Sequence, residues 1–480
     1  MLKNLFYIFL LTNLILIACK EEKNMNDLGL IPLPSKIEIA SGKTFLDNQW
    51  SIKHNNNHKD LDDLKQLLTK SLNNHKITPN ENSNKIISLI IKNNDGFNDE
   101  DYMINIHKDN IIIVASSPSG IFYGIQTFDQ LLDSSEKSKN GFLLSNMNIV
   151  DQPRFKWRGM HLDVGRHFFD ISFIKKYIDY IAMHKMNVFH WHLTEDQGWR
   201  IEINAYPKLT EIGAYRDETL IGSYFDKPHK YDGIKYGGFY TKKDIQEVIE
   251  YARKRYVTIV PEIEMPGHSL AALAAYPELS CTDKKHTVAK IWGVHKEIFC
   301  AGKESTFNFL ETVLTEVAEM FPGPYIHIGG DEAPKDRWKK HALDQKRIID
   351  ENLKDEHELQ SYFIKRIENI LSKLGKRLIG WDEILEGGLA PDAIVQSWRG
   401  MDGGIVAANA KHEVIMSPTS HAYFDYYQSD DRDKEPLAIG GFLSLEKVYQ
   451  FEPIPDDIEQ EKIKYILGGQ GNVWTEYINT

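Results

Sequence analysis

The sequence predicts an α/β fold: a (β/α)8 TIM barrel that is preceded by a small α+β domain. After about residue 151, eight apolar strand-like runs recur, helical stretches lie between many of them, and polar side chains collect where the runs end. Catalytic groups occupy these strand ends in such barrels. A doubly wound open sheet is the alternative, but no glycine-rich phosphate loop follows the first strand.

The N-terminus has the pattern of a targeting segment. Lys3 precedes an apolar run, residues 5–17, that is too short to cross a bilayer, which takes about 20 residues. "LIAC", residues 16–19, resembles the bacterial lipoprotein box, in which the signal is cut before a cysteine that becomes lipidated. We therefore expect a signal peptide at 1–18, lipidation at Cys19 and a tether at 19–29. A plain signal peptide with a chance cysteine is the alternative.

These features imply an exported bacterial lipoprotein of the outer membrane, on its periplasmic side or on the cell surface. "KEEKN", residues 20–24, resembles a lysine-acid-acid signal for surface export.

Residues 30–150 have the mixed pattern of a small α+β domain. "KIISLIIK", residues 85–92, predicts a buried strand, and residues 102–116 predict a hairpin that turns at 108–110. The apolar spacing of "GIFYGIQTFDQLL" predicts a helix that begins near Ser119 or Gly120. Residues 151–153, Asp-Gln-Pro, mark the boundary with a catalytic barrel at 151–480.

The barrel strands are expected in eight apolar runs: "RGMHLDV", "NVFHWHL", "VTIVPEI", "YIHIGG", "RLIGWDE", "AIVQSW", "HEVIMSP" and "YILGGQGNVW". Four intervening stretches have helical spacing: residues 172–186, 242–256, 306–321 and 357–375. Carboxylates and tryptophans dominate the strand ends: Asp163, Arg166, Glu195, Asp196, Glu262, Glu264, His268, Asp331, Glu332, Trp381, Asp382, Glu383, Trp398, Tyr423, Asp425, Trp474 and Glu476. This mixture suits a sugar pocket, since aromatic faces cover the apolar side of a pyranose and acids bind hydroxyl groups.

The net charge of −12 argues against a nucleic-acid partner, because phosphate binding requires a basic face. Cys281 and Cys300 would be exported to where disulfides persist, so we expect a bridge between them. Two free buried thiols are the alternative.

Two other chemistries fit the sequence poorly. His190 and His192 in "HWH" share a face and could bind a metal, but such sites need further ligands at later strand ends. We therefore expect no metal and no cofactor, and packing inside the barrel for this pair. "GHS", residues 267–269, is not the elbow of a serine nucleophile.

"HIGGDE", residues 327–332, resembles the signature of glycoside hydrolase family 20, the exo-β-N-acetylhexosaminidases. "WRGMHLDVGRHF", "HWHLTEDQGWRIEI", "PEIEMPGH", "GWDEI", "QSWRG" and "NVWTE" resemble further family segments in the family's order. The resemblance covers nearly all of residues 30–480.

The resemblance implies catalysis assisted by the substrate's own 2-acetamido group, through an oxazolinium ion. Glu332 would be the general acid/base, with a raised pKa, and Asp331 would stay ionised and orient the acetamido N–H. Tyr423 would hold the acetamido oxygen. Other implied residues are Arg166, Asp425 and Glu476 for hydroxyl groups, Trp381, Trp398 and Trp474 for the walls, and His268, Glu195 and His327 for a supporting relay. The family commonly has Asp-Asp where this chain has Glu195-Asp196.

The implied function is a retaining exo-β-N-acetylhexosaminidase that acts on glycans with terminal GlcNAc or GalNAc and is held to the membrane through Cys19. A non-catalytic glycan-binding lipoprotein, a metal-dependent amidohydrolase and a disaccharide-releasing family member are the alternatives. Family members usually continue with a last helix beyond "NVWTE", so we expect a C-terminally truncated barrel.

Overall fold

The computed structural model describes residues 28–55, 58–92, 96–282 and 284–479. It divides the chain into two compact units, one up to Pro153 and the other from Arg154 onward. The predicted signal peptide, Cys19 and the tether up to residue 27 lie outside the described residues. Within the described ranges, no helix combines the length and the apolar character that a membrane span requires.

The N-terminal unit is a mixed sheet with two helices. Its strands pair in the order β1-β7-β4-β5-β3-β2, with β6 also on β7. The strands are β1 Lys36–Asp47, β2 Trp50–His54, β3 Lys85–Ile91, β4 Tyr102–His107, β5 Asn110–Ala115, β6 Glu136–Ser138 and β7 Gly141–Asp151, and the helices are Leu61–Asn74 and Pro118–Ser134. The antiparallel hairpin of β4 and β5 and the helix that Ser117 caps confirm the predicted elements.

The second unit is a closed barrel of eight parallel strands, which confirms the predicted fold class. All eight predicted runs form its strands: β8 Trp157–Asp163, β9 Val188–His192, β16 Thr258–Glu262, β17 Tyr325–His327, β18 Arg377–Trp381, β19 Ile394–Ser397, β20 Val414–Met416 and β21 Ile466–Gly471. The connection from β9 to β16 contains six two-residue strands, β10–β15: Thr194–Glu195, Gly198–Trp199, Tyr215–Arg216, Leu220–Ile221, Lys230–Tyr231 and Tyr236–Gly237.

The helices of this unit differ in length, and the four that were predicted are the longest of those described. The α-helices are Ile171–Met183, Lys208–Glu211, Lys242–Arg253, Leu270–Ala275, Glu304–Met320, Ala342–Asp350, Glu356–Lys373, Asp402–Asn409, Thr419–Ala422 and Leu445–Tyr449, and the 3-10 helices are Pro277–Leu279, Asp382–Leu385, Arg432–Lys434 and Ile463–Tyr465. The link from β18 to β19 thus has only a 3-10 turn in place of a barrel helix.

One end of the barrel is closed by an apolar layer. Each strand contributes one side chain from its amino end or its middle: Trp157, Val188, Val260, Tyr325, Ile379, Ile394, Ile415 and Leu467. Because this layer seals the lower end, a ligand can enter the barrel only from the carboxyl ends of the strands.

Candidate active site

A pocket of about 210 Å³ opens at the carboxyl ends of the barrel strands. Ten of the predicted site residues line it together with two that were not predicted: Arg166, His268, Asp331, Glu332, Trp381, Trp398, Tyr423, Asp425, Tyr426, Ile439, Trp474 and Glu476. Of the predicted substrate and catalytic groups, none lies away from it. Glu195 and His327 of the predicted relay lie behind the lining.

The turn after β17 separates the two adjacent acids. Gly329 and Gly330 have φ values of 66° and 91°, and a side chain on Gly329 would collide with the carboxylate of Glu264. Glycine is therefore required where the backbone passes this close. Asp331 is buried at 8% exposure, whereas the side chain of Glu332 is 40% exposed. One acid thus lies in the pocket and the other at its rim.

His268 lies between the two acids and the relay behind them. Its Nε2 is 3.5 Å from Glu332 Oε2 and 3.7 Å from Asp331 Oδ2, and its Nδ1 is 2.9 Å from Glu195 Oε1. Both His268 and Glu332 have left-handed backbones, with φ values of 46° and 43°. Such conformations cost about 1–3 kcal/mol each and cluster at functional sites.

The longer side chain of Glu195 joins two parts of the site. Its Oε1 contacts Arg166 Nη2 at 2.8 Å as well as His268 Nδ1. Arg166 also lies 3.4 Å from Asp163 Oδ2 and 3.9 Å from Glu476 Oε1. The glutamate therefore connects the predicted hydroxyl-binding arginine with the predicted relay.

The protonation states of the acid pair are the reverse of those predicted. The hydrogen bond from His268 holds the pKa of Glu332 below its usual value. Burial raises the pKa of Asp331 to about 7, against the opposing charge of His268. Burial alone would depress the pKa of His268, but the charge of Glu195 raises it well above its usual value. Burial of Asp331 and the hydrogen bond from His268 to Glu332 together cause this reversal.

The three tryptophans and Tyr423 form the walls of the pocket. Trp381 Nε1 donates to Glu262 Oε1 at 2.8 Å, and Trp398 Nε1 donates to Glu383 Oε2 at 2.9 Å. Tyr423 stacks on Trp398 with ring centroids 6.1 Å apart. Buried carboxylates therefore fix the orientation of two of the walls.

A second buried group surrounds Glu262 at the end of β16, deeper in the barrel. His190 Nε2 and His327 Nδ1 lie 2.9 and 2.8 Å from its carboxylate, and His192 Nδ1 also contacts it. The predicted packing of His190 and His192 inside the barrel therefore includes polar contacts with a buried carboxylate. His327 contacts Glu262, whereas His268 and Glu195 contact each other behind the acids, so the part of His327 in that relay stays a prediction.

Several buried polar atoms of the pocket residues have no hydrogen-bond partner within the described part of the chain: Arg166 Nε, Asp331 Oδ1, Asp425 Oδ1, Trp474 Nε1 and Glu476 Oε2. Burial raises the pKa of Asp425 well above its usual value and also raises that of Glu476. Unpaired buried donors and acceptors are costly, so their concentration here indicates a polar ligand that satisfies them.

Two lining residues were missed, Tyr426 and Ile439. Both lie in the long connection between β20 and β21, which has no strand or helix periodicity from which they could be recognised. Glu383 and Glu262 were recognised as strand-end acids, but their hydrogen bonds with Trp398 and Trp381 were not predicted.

The predicted disulfide is absent. Cys281 and Cys300 are both free and buried. Their Sγ atoms contact the carboxylate of Asp344 at 3.2 and 3.3 Å, respectively. The thiols therefore take their partners from a third segment of the chain.

Comparisons with known proteins confirm the resemblance to glycoside hydrolase family 20. The family model "Glycosyl hydrolase family 20, catalytic domain" matches residues 155–480, and "Glycosyl hydrolase family 20, domain 2" matches residues 27–152. A β-hexosaminidase of Porphyromonas gingivalis is 53% identical over 80% of this chain, and one of Vibrio furnissii is 34% identical over 94%. The chain spans 48% of the first relative's length and 73% of the second's.

Among solved structures, an exo-β-N-acetylglucosaminidase of Vibrio harveyi in complex with N-acetylglucosamine is similar, with a TM-score of 0.80 and 31% identity. The match covers 95% of this chain and 70% of that one.

Proposed function

The chain belongs to glycoside hydrolase family 20, and we propose that it is a retaining exo-β-N-acetylhexosaminidase that removes terminal GlcNAc or GalNAc from glycans. The observation that carries this proposal is the placement of Asp331 and Glu332 at different depths of one tryptophan-walled pocket. An N-acetylhexosamine has two groups that need an acid, the acetamido N–H and the glycosidic oxygen. Adjacent acids at two depths match this pair of groups.

In the first step, Glu332 gives its proton to the glycosidic oxygen as the bond from C1 to that oxygen breaks. The acetamido carbonyl oxygen forms a new bond to C1, which gives an oxazolinium ion with its charge spread onto nitrogen. In the second step, water attacks C1 and loses a proton to Glu332. The bond between C1 and the former acetamido oxygen breaks, which restores the acetamide. Two displacements at C1 retain its configuration.

Asp331 stabilises the positive charge that develops on the acetamido nitrogen. Its Oδ1 has no partner in the described part of the chain and is available to accept the N–H. Tyr423 is buried, and burial raises its pKa well above the usual value, so its hydroxyl stays a donor for the attacking carbonyl oxygen. Holding this oxygen near C1 supplies the proximity effect of an intramolecular reaction.

One proton has to move between the two acids when substrate binds. With a pKa of about 7, Asp331 is about half protonated at neutral pH, whereas the hydrogen bond from His268 lowers the pKa of Glu332 and favours its ionised form. The acetamido N–H favours ionised Asp331, and the leaving glycan covers the exposed Glu332 and raises its pKa. Substrate binding thereby sets the protonation states that the reaction requires, and the pair titrates as a unit.

The far end of the pocket favours a single terminal sugar. Arg166, Asp425 and Glu476 close it with atoms that can bind hydroxyl groups, and burial raises the pKa values of the two acids. A volume of about 210 Å³ is small beside the 300–1,000 Å³ of many ligand pockets. This favours release of a monosaccharide over release of a disaccharide. Retention of both acids likewise favours an enzyme over a non-catalytic binding protein.

The test uses a chromogenic β-GlcNAc substrate and NMR of the released sugar. The first product should be the β-anomer, a thiazoline analogue of the oxazolinium ion should inhibit, and Glu332→Gln should lower kcat by about 10²–10⁴-fold. Release of the α-anomer, or full turnover by Glu332→Gln, would refute the mechanism.

We also propose export and lipidation at Cys19. A Cys19→Ser variant should lose palmitate labelling and leave the membrane fraction. Unchanged membrane association of this variant would exclude the anchor.

A further inference from the structure

Outside the sugar pocket, four side chains that can bind a metal converge at one point of the barrel unit. Cys281 and Cys300 flank an irregular segment, and His341 and Asp344 belong to the start of helix Ala342–Asp350. One ligand atom of each lies within 4.8 Å of the others. We propose that these four residues bind one divalent transition-metal ion, zinc by preference, as a structural site.

The separations are close to those of a tetrahedral site. Asp344 Oδ2 lies 3.2 Å from Cys281 Sγ, 3.3 Å from Cys300 Sγ and 2.8 Å from His341 Nδ1, and that nitrogen lies 3.2 Å from Cys300 Sγ. Zinc bond lengths of about 2.0–2.3 Å place tetrahedral ligand atoms roughly 3.3–3.8 Å apart. Outward shifts of about half an ångström or less therefore make room for the ion.

The cluster is enclosed and rich in groups that become anionic ligands. Cys300 and Asp344 are completely buried, Cys281 is 9% exposed and the side chain of His341 is 21% exposed. A divalent ion would displace one proton from each thiol and form two metal–sulfur bonds in their place.

The types of ligand identify the ion. Two thiolates with an imidazole and a carboxylate suit zinc, whereas calcium and magnesium prefer oxygen ligands alone. Four protein ligands leave no open position for substrate, which is the pattern of a structural site. The sequence predicted no metal because the strand ends lack a complete set of metal ligands. The four residues of this cluster come instead from connections beyond the strands.

The site would join two segments that support the catalytic relay. Next to Cys300, the Phe299 N–H donates to Pro266 O at 2.9 Å, two residues before His268. Within the segment flanked by the cysteines, Ala289 N donates to Asp196 O at 3.0 Å, and Gln197 Nε2 donates to Ile291 O at 2.8 Å. The metal would therefore hold in place the backbone around His268 and Asp196 without contacting the sugar.

The direct test measures metal and thiols on the full chain. Elemental analysis should find one zinc ion per chain, and replacement by cobalt should give a visible ligand-field spectrum with a thiolate-to-cobalt charge-transfer band. Intact mass after alkylation should show two cysteines that are protected by the metal and become reactive with a chelator. A Cys281–Cys300 disulfide, or two free thiols that take up no zinc, would overturn the proposal.

Variants assign the ligands. Cys281→Ser and His341→Ala should each weaken zinc binding by about 100-fold or more, one ligand's share of a typical structural site, as measured by competition with a chromophoric chelator. His357→Ala, a histidine with a 55% exposed side chain, is the matched control and should bind zinc as the wild type does. Equal zinc affinity of His341→Ala and the control would remove His341 from the site. Because wild-type metal content is measured separately from turnover, the proposal fails or stands independently of the proposed glycosidase activity.

Discussion

Glu262 and Asp331 follow neighbouring strands of the same barrel, but their surroundings are opposite. Glu262 is completely buried, accepts a hydrogen bond from Trp381 and has three histidines around its carboxylate. Although burial alone would raise its pKa, the charges of these histidines hold it well below its usual value. Asp331 has one oxygen without a partner in the described chain and a pKa raised to about 7.

This difference separates a carboxylate that stabilises the fold from one that acts on substrate, although both belong to acidic residues at strand ends. Both carboxylate oxygens of Glu262 have partners within the protein. This acid is therefore a fixed charge that orients Trp381. The protein leaves Asp331 incompletely satisfied and places it in the pocket, where a ligand can complete its hydrogen bonds. Incomplete satisfaction, rather than residue type, therefore marks the group that acts on substrate.

The largest expected effect is on catalysis at Asp331. Asp331→Asn removes the charge that faces the acetamido nitrogen in the transition state, so kcat on a β-GlcNAc substrate should fall by about 10²–10³-fold. Asp336→Asn, whose side chain is 46% exposed, is the control and should keep wild-type turnover. Equal turnover by the two variants would contradict the functional role of Asp331.

Glu262→Gln should instead act on stability. The substitution removes the negative charge from the buried histidine group, and breaking such a group costs about 3–5 kcal/mol. Denaturant unfolding measures this free energy. Glu250→Gln, an exposed acid paired with Arg253, should stay within about 0.5 kcal/mol of the wild type. If Glu262→Gln has the same free energy of unfolding as this control, Glu262 does not have the stabilising role that distinguishes it from Asp331.

A third expected effect is a pH-dependent difference in stability. The pKa of Asp331 is about 7 in the folded protein and about 3.9 when unfolded. Its contribution to stability is therefore complete below about pH 4 and is lost as the pH rises through 7. Asn at this position does not titrate, so the stability of Asp331→Asn relative to the wild type should rise by up to about 4 kcal/mol as the pH rises across this window.

Thermal unfolding at several pH values measures this gain. The Asp336→Asn control should follow the wild type over the same range. A constant difference between Asp331→Asn and the wild type would mean that the pKa of Asp331 is not raised.

The eight barrel strands could be predicted because each is a buried apolar run, and the strand-end acids followed from them. The six two-residue strands could not be predicted, since pairs this short have no periodicity. Tyr426 and Ile439 were missed for the same reason. The pKa shifts of Asp331 and Glu332 were predicted in reverse because they depend on the depth of burial of Asp331 and on a hydrogen bond from His268, which comes from a different strand end.

The sequence also gave no indication of what Cys281 and Cys300 would contact. Their spacing is compatible with a disulfide, and only the fold brings Asp344 and His341 to them. Contacts among three distant segments are set by the packing of the connections, which lack the regular patterns of the strands.

The closed end formed by Arg166, Asp425 and Glu476 affects how an enzyme of the proposed kind would degrade a long chain. A blind pocket cannot let a polymer slide through it, so the released sugar must diffuse out before the next chain end can enter. Digestion would then be distributive: a homogeneous N-acetylhexosamine oligomer would shorten one unit at a time through every intermediate length. Release of the monosaccharide, and not only bond cleavage, would then limit the rate at which long glycans are trimmed.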